Sequence, residues 1–437
     1  MNYPDAVNYL FGLQKFGWKL GLDRMQRLLA ELGHPERSTR FVHIAGTNGK
    51  GSVAAMISSI LSHAGYRTGL YTSPHLVDVR ERIQVDGQMI SPAGFAEITT
   101  QLQPHIKALE CTFFEAMTAL ALTYFAKRNV NFAVLEVGLG GRLDATNVVS
   151  PDLCAITSIS SDHTEHLGSS LEQIAGEKAG ILKADVPCVM GEMPSGAEGS
   201  IKKHAAQIGS PLAKTGDHCE LSVLSETIYG SNFDLKMDHF IDDQIEIPLA
   251  GKHQIENAKI AATCCFILSQ KGAQISQQDL KDGFKNVNWP ARLQIVSKSP
   301  FVVVDVAHNL DSMNRLVGSL ATLFPNDKII FVFGLLKDKN HKEIIKLIVP
   351  LAEKAFVVQA ETSRALDKEI IAQEFAANGL TVSTEDSVSQ GVKKALATHQ
   401  DNSVICVTGS HYVVGEAWSE IKYLTGTDNM FKLQTSE

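Results

Sequence analysis

A chain of 437 residues is long enough for two or three domains with sizeable cores, which excludes a small scaffold stapled by disulfides. With 40 Lys+Arg against 48 Asp+Glu the net charge is −8, and 44% hydrophobic and 20% charged residues make an ordinary soluble globular composition with no basic excess for nucleic acid. The 7 cysteines, Cys111, Cys154, Cys188, Cys219, Cys264, Cys265 and Cys406, include no CxxC pair and fall mostly in apolar runs, so they read as buried thiols in a reducing compartment.

The first twenty residues are amphipathic and lack the basic start, apolar stretch and cleavage site of a secretory signal. No later apolar run approaches the roughly 20 residues that span a bilayer. A cytoplasmic protein without membrane or nucleic-acid partners is therefore expected. Leu22, Met25, Leu29 and Leu32 share one helix face closed by Gly33 and Pro35. Further on, short β-branched runs at 41–45, 132–137, 153–158, 301–306, 329–333, 355–358 and 404–408 alternate with helical periodicity, which favours parallel sheets covered by helices on both faces. Ser169 with Glu172 suggests a capping box for a helix running to about Lys183. Residues 219–249 alternate polar and apolar, as in a small antiparallel sheet attached to the first domain. The pattern breaks again at Asn288-Trp289-Pro290-Ala291-Arg292. The expected architecture is α/β: a phosphate-loop mononucleotide-binding domain over 1–288 carrying the extra antiparallel sheet, a linker at 289–298, and a Rossmann-like α/β domain over 299–437.

The strongest local signal is the strand RFVHIA followed by Gly46, Thr47, Asn48, Gly49, Lys50, Gly51 and Ser52, and then an apolar helix. Glycines let backbone N–H groups face phosphate oxygens, the helix N-terminus adds its positive end, Lys50 supplies a compact cation and a hydroxyl can reach Mg²⁺. The loop departs from GxxxxGK[ST], because Ile44 replaces the first glycine and Gly51 displaces the serine by one position. A second glycine run, Gly138-Leu139-Gly140-Gly141-Arg142, fails the dinucleotide spacing because residue 143 is leucine. No NKxD tetrad accompanies the phosphate loop. Nucleotide binding alone thus leaves the reaction open.

Seven segments in order, AGTNGKGS, YTSPHLVDVRERI, TFFEAMTALAL, LEVGLGGRLDATN, ITSISSDHTEHLG, GEKAGI and DVAHN, resemble the folylpolyglutamate synthases and their bifunctional dihydrofolate synthase relatives, within the ATP-dependent ligases that include the Mur ligases. The resemblance implies an enzyme that phosphorylates a folate or dihydropteroate carboxylate with ATP and then lets L-glutamate displace phosphate. It implies metal ligands at Ser52, Ser73, Glu136 and His163, with Mg²⁺, in two ions, as the cofactor. Lys50, His163, Lys178, Asp305 and His308 take catalytic roles on this reading, with Lys178 as the family's carbamylated lysine. Asn257, Arg292 and Asp305 join the phosphate loop at the nucleotide, and Arg82, Thr112 and Phe114 line the acceptor pocket. The resemblance also implies a monomer whose second domain completes the site on closure. Taken singly, several of these residues fit blander roles: Lys178 a snorkelling lysine, Asn257 a helix cap, His308 a cap or interface histidine, Phe114 a core aromatic. Two other activities share the motifs. A Mur-type ligase on a cell-wall precursor is disfavoured because only about forty-five residues precede the loop, and a nucleotide-driven switch would hydrolyse nucleotide without a carboxylic acid.

Overall fold

The computed structural model describes residues 1–17, 19, 21–237, 240–400 and 402–425. Trp18 and Leu20 of the amphipathic start, 238–239 of the small sheet, and 401 and 426–437 of the second domain lie outside these. The chain divides into two compact units, Met1–Ser222 with Asp234–Ile245 and Glu256–Val287, and Val223–Phe233 with Glu246–Ile255 and Asn288–Glu437.

The first unit is built on eight strands: β1 (Arg40–Ala45), β2 (Thr68–Tyr71), β3 (Ile83–Val85), β4 (Gln88–Met89), β5 (Phe132–Glu136), β6 (Leu153–Ile156), β7 (Cys188–Met190) and β8 (Leu212–Lys214). They run in the order β4-β3-β2-β5-β1-β6-β7-β8. Pairing from β2 through to β8 is parallel, and β3 and β4 add an antiparallel edge. Strands β5 and β6 are buried along their length, and β1 from Phe41 onward, because helices cover both faces. Helix Phe113–Lys127 is buried from Glu115 to Phe125 without a polar stripe, as a helix enclosed on all sides must be. Gly69 on β2 is required there, since a Cβ would come within 2.8 Å of the Phe125 ring. A small sheet follows, β9 (Cys219–Thr227), β10 (Gly230–Met237) and β11 (Phe240–Ile247), ordered β11-β10-β9. Phe233, Leu235 and Met237 of β10 alternate inward, the period-2 pattern of a one-sided sheet.

The second sheet has six strands, β12 (Gln294–Lys298), β13 (Phe301–Val304), β14 (Lys328–Phe333), β15 (Ala352–Val357), β16 (Val382–Thr384) and β17 (Ser403–Thr408), in the order β12-β13-β17-β14-β15-β16. All pairs are parallel except β12 with β13. Met313, Leu316 and Leu320 of helix Leu310–Leu323 pack with Phe331, Phe333, Ile344 and Phe375 in its core. All seven cysteines are buried and unpaired. No helix among the described residues is long and apolar enough to cross a membrane.

The expected helix at 169–183 is corrected in both directions. Its cap is Ser170 with Gln173, one residue later than the Ser169–Glu172 pair, and the helix is Leu171–Ala179. Neighbouring Ser-x-x-Glu/Gln frames offer equivalent bonds, so the sequence alone does not choose between them. Gly180 caps the helix at its C-terminal end, at a position where a Cβ would overlap the backbone of Arg142.

His43 of β1 is fully buried, its Nε2 lying 2.8 Å from Thr146 Oγ1. The Thr146 hydroxyl donates to Asp144 Oδ1, so the His43 Nε2–H is the donor and Nδ1 stays unprotonated and without a partner. Burial pushes this imidazole down to about 3. The unfolded chain binds the proton below about pH 6.5 and the folded one does not, so stability is lost as pH falls through that window. Because the buried carboxylates of Asp144 and Asp305 are raised and act in the opposite sense, the clean comparison is between variants. Between pH 7 and 5, His43→Gln should lose about 2 kcal/mol less stability than the parent in urea titrations; equal losses would place the proton elsewhere. A second expectation concerns Gly283 in helix Gln277–Lys285, where a Cβ would overlap Ile60 of helix Lys50–His63. Alanine gains about 1 kcal/mol of helix propensity, yet overpacking costs about 1–3 kcal/mol, so Gly283→Ala should lower the urea midpoint. A raised midpoint would mean that the two helices separate freely.

Candidate functional site

Strand order places β1 between β5 and β6, so the loops leaving the C-terminal ends of three adjacent parallel strands converge, as ligand-binding loops of open α/β sheets do. The phosphate loop leaves β1 and enters helix Lys50–His63, with Ser52 buried in its first turn. Gly46 (φ +147°) and Gly49 (φ +85°) adopt conformations open mainly to glycine. A Cβ would overlap Thr157 Oγ1 at the first and Asn257 Oδ1 at the second. Asn257 therefore sits against the phosphate loop itself.

The loop is strapped to the segment after β6. Thr47 N–H donates to Ser158 O at 2.7 Å and Asn48 N–H to Ser158 Oγ at 3.1 Å. Thr157 Oγ1 donates to Asn48 O at 2.6 Å, and Thr47 Oγ1 to Ser160 O at 3.1 Å. Sequence reasoning missed Thr157, Ser158 and Ser160. The signal was the hydroxyl-rich run TSISS directly after a strand. Lys50 Nζ donates to Thr47 O at 3.0 Å. From the far side, the buried Lys178 Nζ donates to Gly46 O at 2.8 Å. Burial and the charge of Lys50 push the Lys178 amine down to about 7, against the pull of Asp162 and Asp144.

Glu136 ends β5 in register with Ile44 of β1 and is 5% exposed. Its Oε2 accepts the N–H of Ser73 at 3.0 Å, which brings two of the expected metal ligands together. His163 follows β6 with φ +50°, its N–H donating to Asp162 Oδ1 at 2.9 Å. Among the described residues no group of three or more His, Cys, Asp or Glu side chains is placed to hold a metal ion. A buried carboxylate, serine oxygens and one imidazole instead fit a hard cation that keeps water and phosphate oxygens as its other ligands.

The acceptor-pocket candidates cluster at the start of helix Phe113–Lys127. Glu81 organises the approach, its carboxylate accepting the N–H groups of Leu76, Val77 and Asp78 at 2.7, 2.9 and 2.7 Å. Arg82 Nε donates to His75 Nδ1 at 2.9 Å, and its guanidinium lies 5.3 Å from the Phe113 ring centroid. Burial and this guanidinium push His75 down to about 3. Thr112 caps the helix in a capping box with Glu115, so its hydroxyl already serves the fold. Phe114 lies over Gly138, where a Cβ would overlap the ring. Asp144, which sequence reasoning also missed, is buried and accepts from Leu139 and Thr146 N–H at 2.9 and 3.0 Å, fixing the glycine run; burial raises its carboxyl.

In the second unit, Arg292, Asp305 and His308 gather at the end of β13. Asp305 accepts Leu293 N–H through Oδ2 and Ala307 N–H through Oδ1, both at 2.7 Å. Burial raises this carboxyl while Arg292 opposes the rise. His308 Nδ1 lies 2.8 Å from Val306 O. A carbonyl only accepts, so Nδ1 carries a proton. The His411 ring lies 5.6 Å away.

Known proteins resemble this chain over nearly its whole length. The family described as Mur ligase middle domain matches residues 44–265, and the Mur ligase glutamate ligase domain matches 291–411. The dihydrofolate synthase/folylpolyglutamate synthase of Bacillus subtilis is 36% identical, with 96% of this chain and 99% of that protein covered. The Escherichia coli protein of the same name is 33% identical, with 95% and 94% covered. Among solved structures, E. coli FolC in complex with DHPP and ADP superposes with a TM-score of 0.87 at 31% identity, over 97% of this chain and 98% of that one. The Mycobacterium tuberculosis folylpolyglutamate synthase complexed with ADP gives 0.89 at 30% identity, over 96% and 99%. With both Mur ligase domains present and full-length identity at this level, the chain belongs to the dihydrofolate synthase/folylpolyglutamate synthase family of the Mur ligases.

Proposed function

We propose that this protein is an ATP-dependent ligase that adds L-glutamate to the γ-carboxylate of reduced folates and to dihydropteroate. The observation that carries the reading is the joining of a phosphate loop to a buried amine, Lys178 on Gly46 O, beside the buried Glu136 carboxylate that ends the neighbouring strand. Amide formation in water is uphill, so the acceptor carboxylate first takes the γ-phosphoryl group of ATP, releasing ADP and forming an acyl phosphate. The amine of glutamate then attacks the acyl carbon, loses a proton and expels phosphate.

Backbone amides of 46–52 and Lys50 hold and orient the nucleotide phosphates. Ser52, Ser73, Glu136 and His163 would hold two divalent ions, which supply charge neutralisation between the phosphates and the acceptor. Lys178 is a candidate for carbamylation, because its lowered basicity leaves a share of neutral, nucleophilic amine near pH 7. Asn257 and Arg292 take the nucleotide, Asp305 supports Arg292, and Arg82, Thr112 and Phe114 take the acceptor, with Phe114 offering an aromatic face to a pterin. His308 is the proposed acceptor of the proton of the attacking amine. The domain limits we propose are 1–288 and 299–437, joined by 289–298, the second half of which is strand β12 of the second sheet, in a monomeric cytoplasmic enzyme.

Purified protein with ATP, Mg²⁺ and labelled glutamate should glutamylate dihydropteroate or tetrahydrofolate but not a cell-wall precursor. No glutamylated pterin under any of these conditions would sink the reading, and hydrolysis without a carboxylic acid would point to a switch. Lys50→Ala and Glu136→Ala should each lower turnover at least a hundredfold, the order expected for removing a preorganised charge from the reaction centre; near-normal turnover of either variant would remove that residue from the site.

A further inference from the structure

Arg292 sits on a backbone of uncommon shape. Its neighbours Ala291 and Leu293 have φ values of +56° and +48°. Side chains other than glycine and the short polar residues seldom enter this left-handed region, and a bulky leucine there is an outlier. Such a conformation persists only where the surroundings over-determine it. Here two side chains capture the backbone on either side of the arginine. Gln294 Oε1 accepts the N–H of Ala291 at 2.8 Å, and Asp305 Oδ2 accepts that of Leu293 at 2.7 Å. Val306 N–H closes the turn on Ala291 O at 3.2 Å. The Arg292 guanidinium lies 5.6 Å from the Trp289 ring centroid, and its Nη1 donates to Ala291 O at 3.1 Å.

Gln294 is 6% exposed, and its Nε2 has no hydrogen-bond partner. Burying an amide donor without an acceptor is unfavourable, and a methionine of similar volume would fill the space without that penalty. Packing therefore gives no reason for glutamine at this position. Its carbonyl does, because it is the acceptor that holds Ala291 in the left-handed state and so sets where the Arg292 backbone points.

We infer that Gln294 is a positioning residue for Arg292: it touches no reacting atom and serves nucleotide binding by locking the turn on which the arginine is mounted. The inference rests on the reading of Arg292 as a nucleotide-binding residue, and a double-mutant cycle separates the two. Binding of a non-hydrolysable ATP analogue with Mg²⁺ to the full chain is measured by calorimetry for the parent, Gln294→Met, Arg292→Ala and the double variant, together with KM for ATP and kcat. Gln294→Met should weaken the analogue about tenfold and raise KM for ATP with kcat within about twofold. In the Arg292→Ala background the same change should cost nothing further, since residues acting through one group are not additive. Gln294→Glu keeps the acceptor oxygen and should bind within about threefold of the parent; it carries the test if the methionine variant does not fold. Unchanged affinity in Gln294→Met, independent losses in the double variant, or loss in Gln294→Glu equal to that of Arg292→Ala would each overturn the inference. If Arg292→Ala leaves nucleotide affinity unchanged, the reading of Arg292 fails and the inference falls with it.

Discussion

The bond from Lys178 Nζ to Gly46 O is the constraint around which the phosphate loop is arranged. An ammonium buried without compensation is unfavourable, and here its acceptor is a carbonyl of the phosphate loop itself. For that carbonyl to point inward, Gly46 must adopt φ +147°, and its missing Cβ leaves room for Thr157. Thr157 and Ser158 in turn hold Asn48 O, which fixes the far side of the loop. The loop is thus held by the protein's own hydrogen bonds, and positions that read as unrelated along the chain share one hydrogen-bonded frame.

The same logic, with different chemistry, operates in the second unit. There the arginine of the turn after Trp289 is mounted on a backbone held by carbonyl and carboxylate oxygens from Gln294 and Asp305. In both units side-chain oxygens satisfy backbone groups at the ends of parallel strands. Glu81 does likewise, collecting three successive N–H groups in the loop before Arg82.

The interior strands were legible because both their faces are covered and their apolar runs are unbroken; β1, β5, β6, β13, β14, β15 and β17 fall where the periodicity puts them. The strands left unassigned are mostly short: β2, β3 and β7 are buried but only three or four residues long, and at the margins β4, β8 and β16 have two or three residues whose partial burial blurs the pattern. At the site, motif order pointed to Lys50, Glu136 and Lys178, since glycine loops and a buried charge leave strong traces in a sequence. Asp144, Ser158 and Gln294 left none, because their task is to satisfy particular backbone groups whose orientation exists only in the folded chain. Thr112 illustrates a second duty that the motif did not reveal: the residue proposed for the acceptor also caps a helix.

Phe114 rests on Gly138, two residues beyond Glu136 on one stretch of backbone. Two residues reach at most about 7 Å, so the aromatic shelf and the strand-end carboxylate share a short, nearly inextensible baseline. Neither can be moved without dragging the other. A change that reshapes the aromatic side of this region is therefore felt at the charged side, and the two are retuned together.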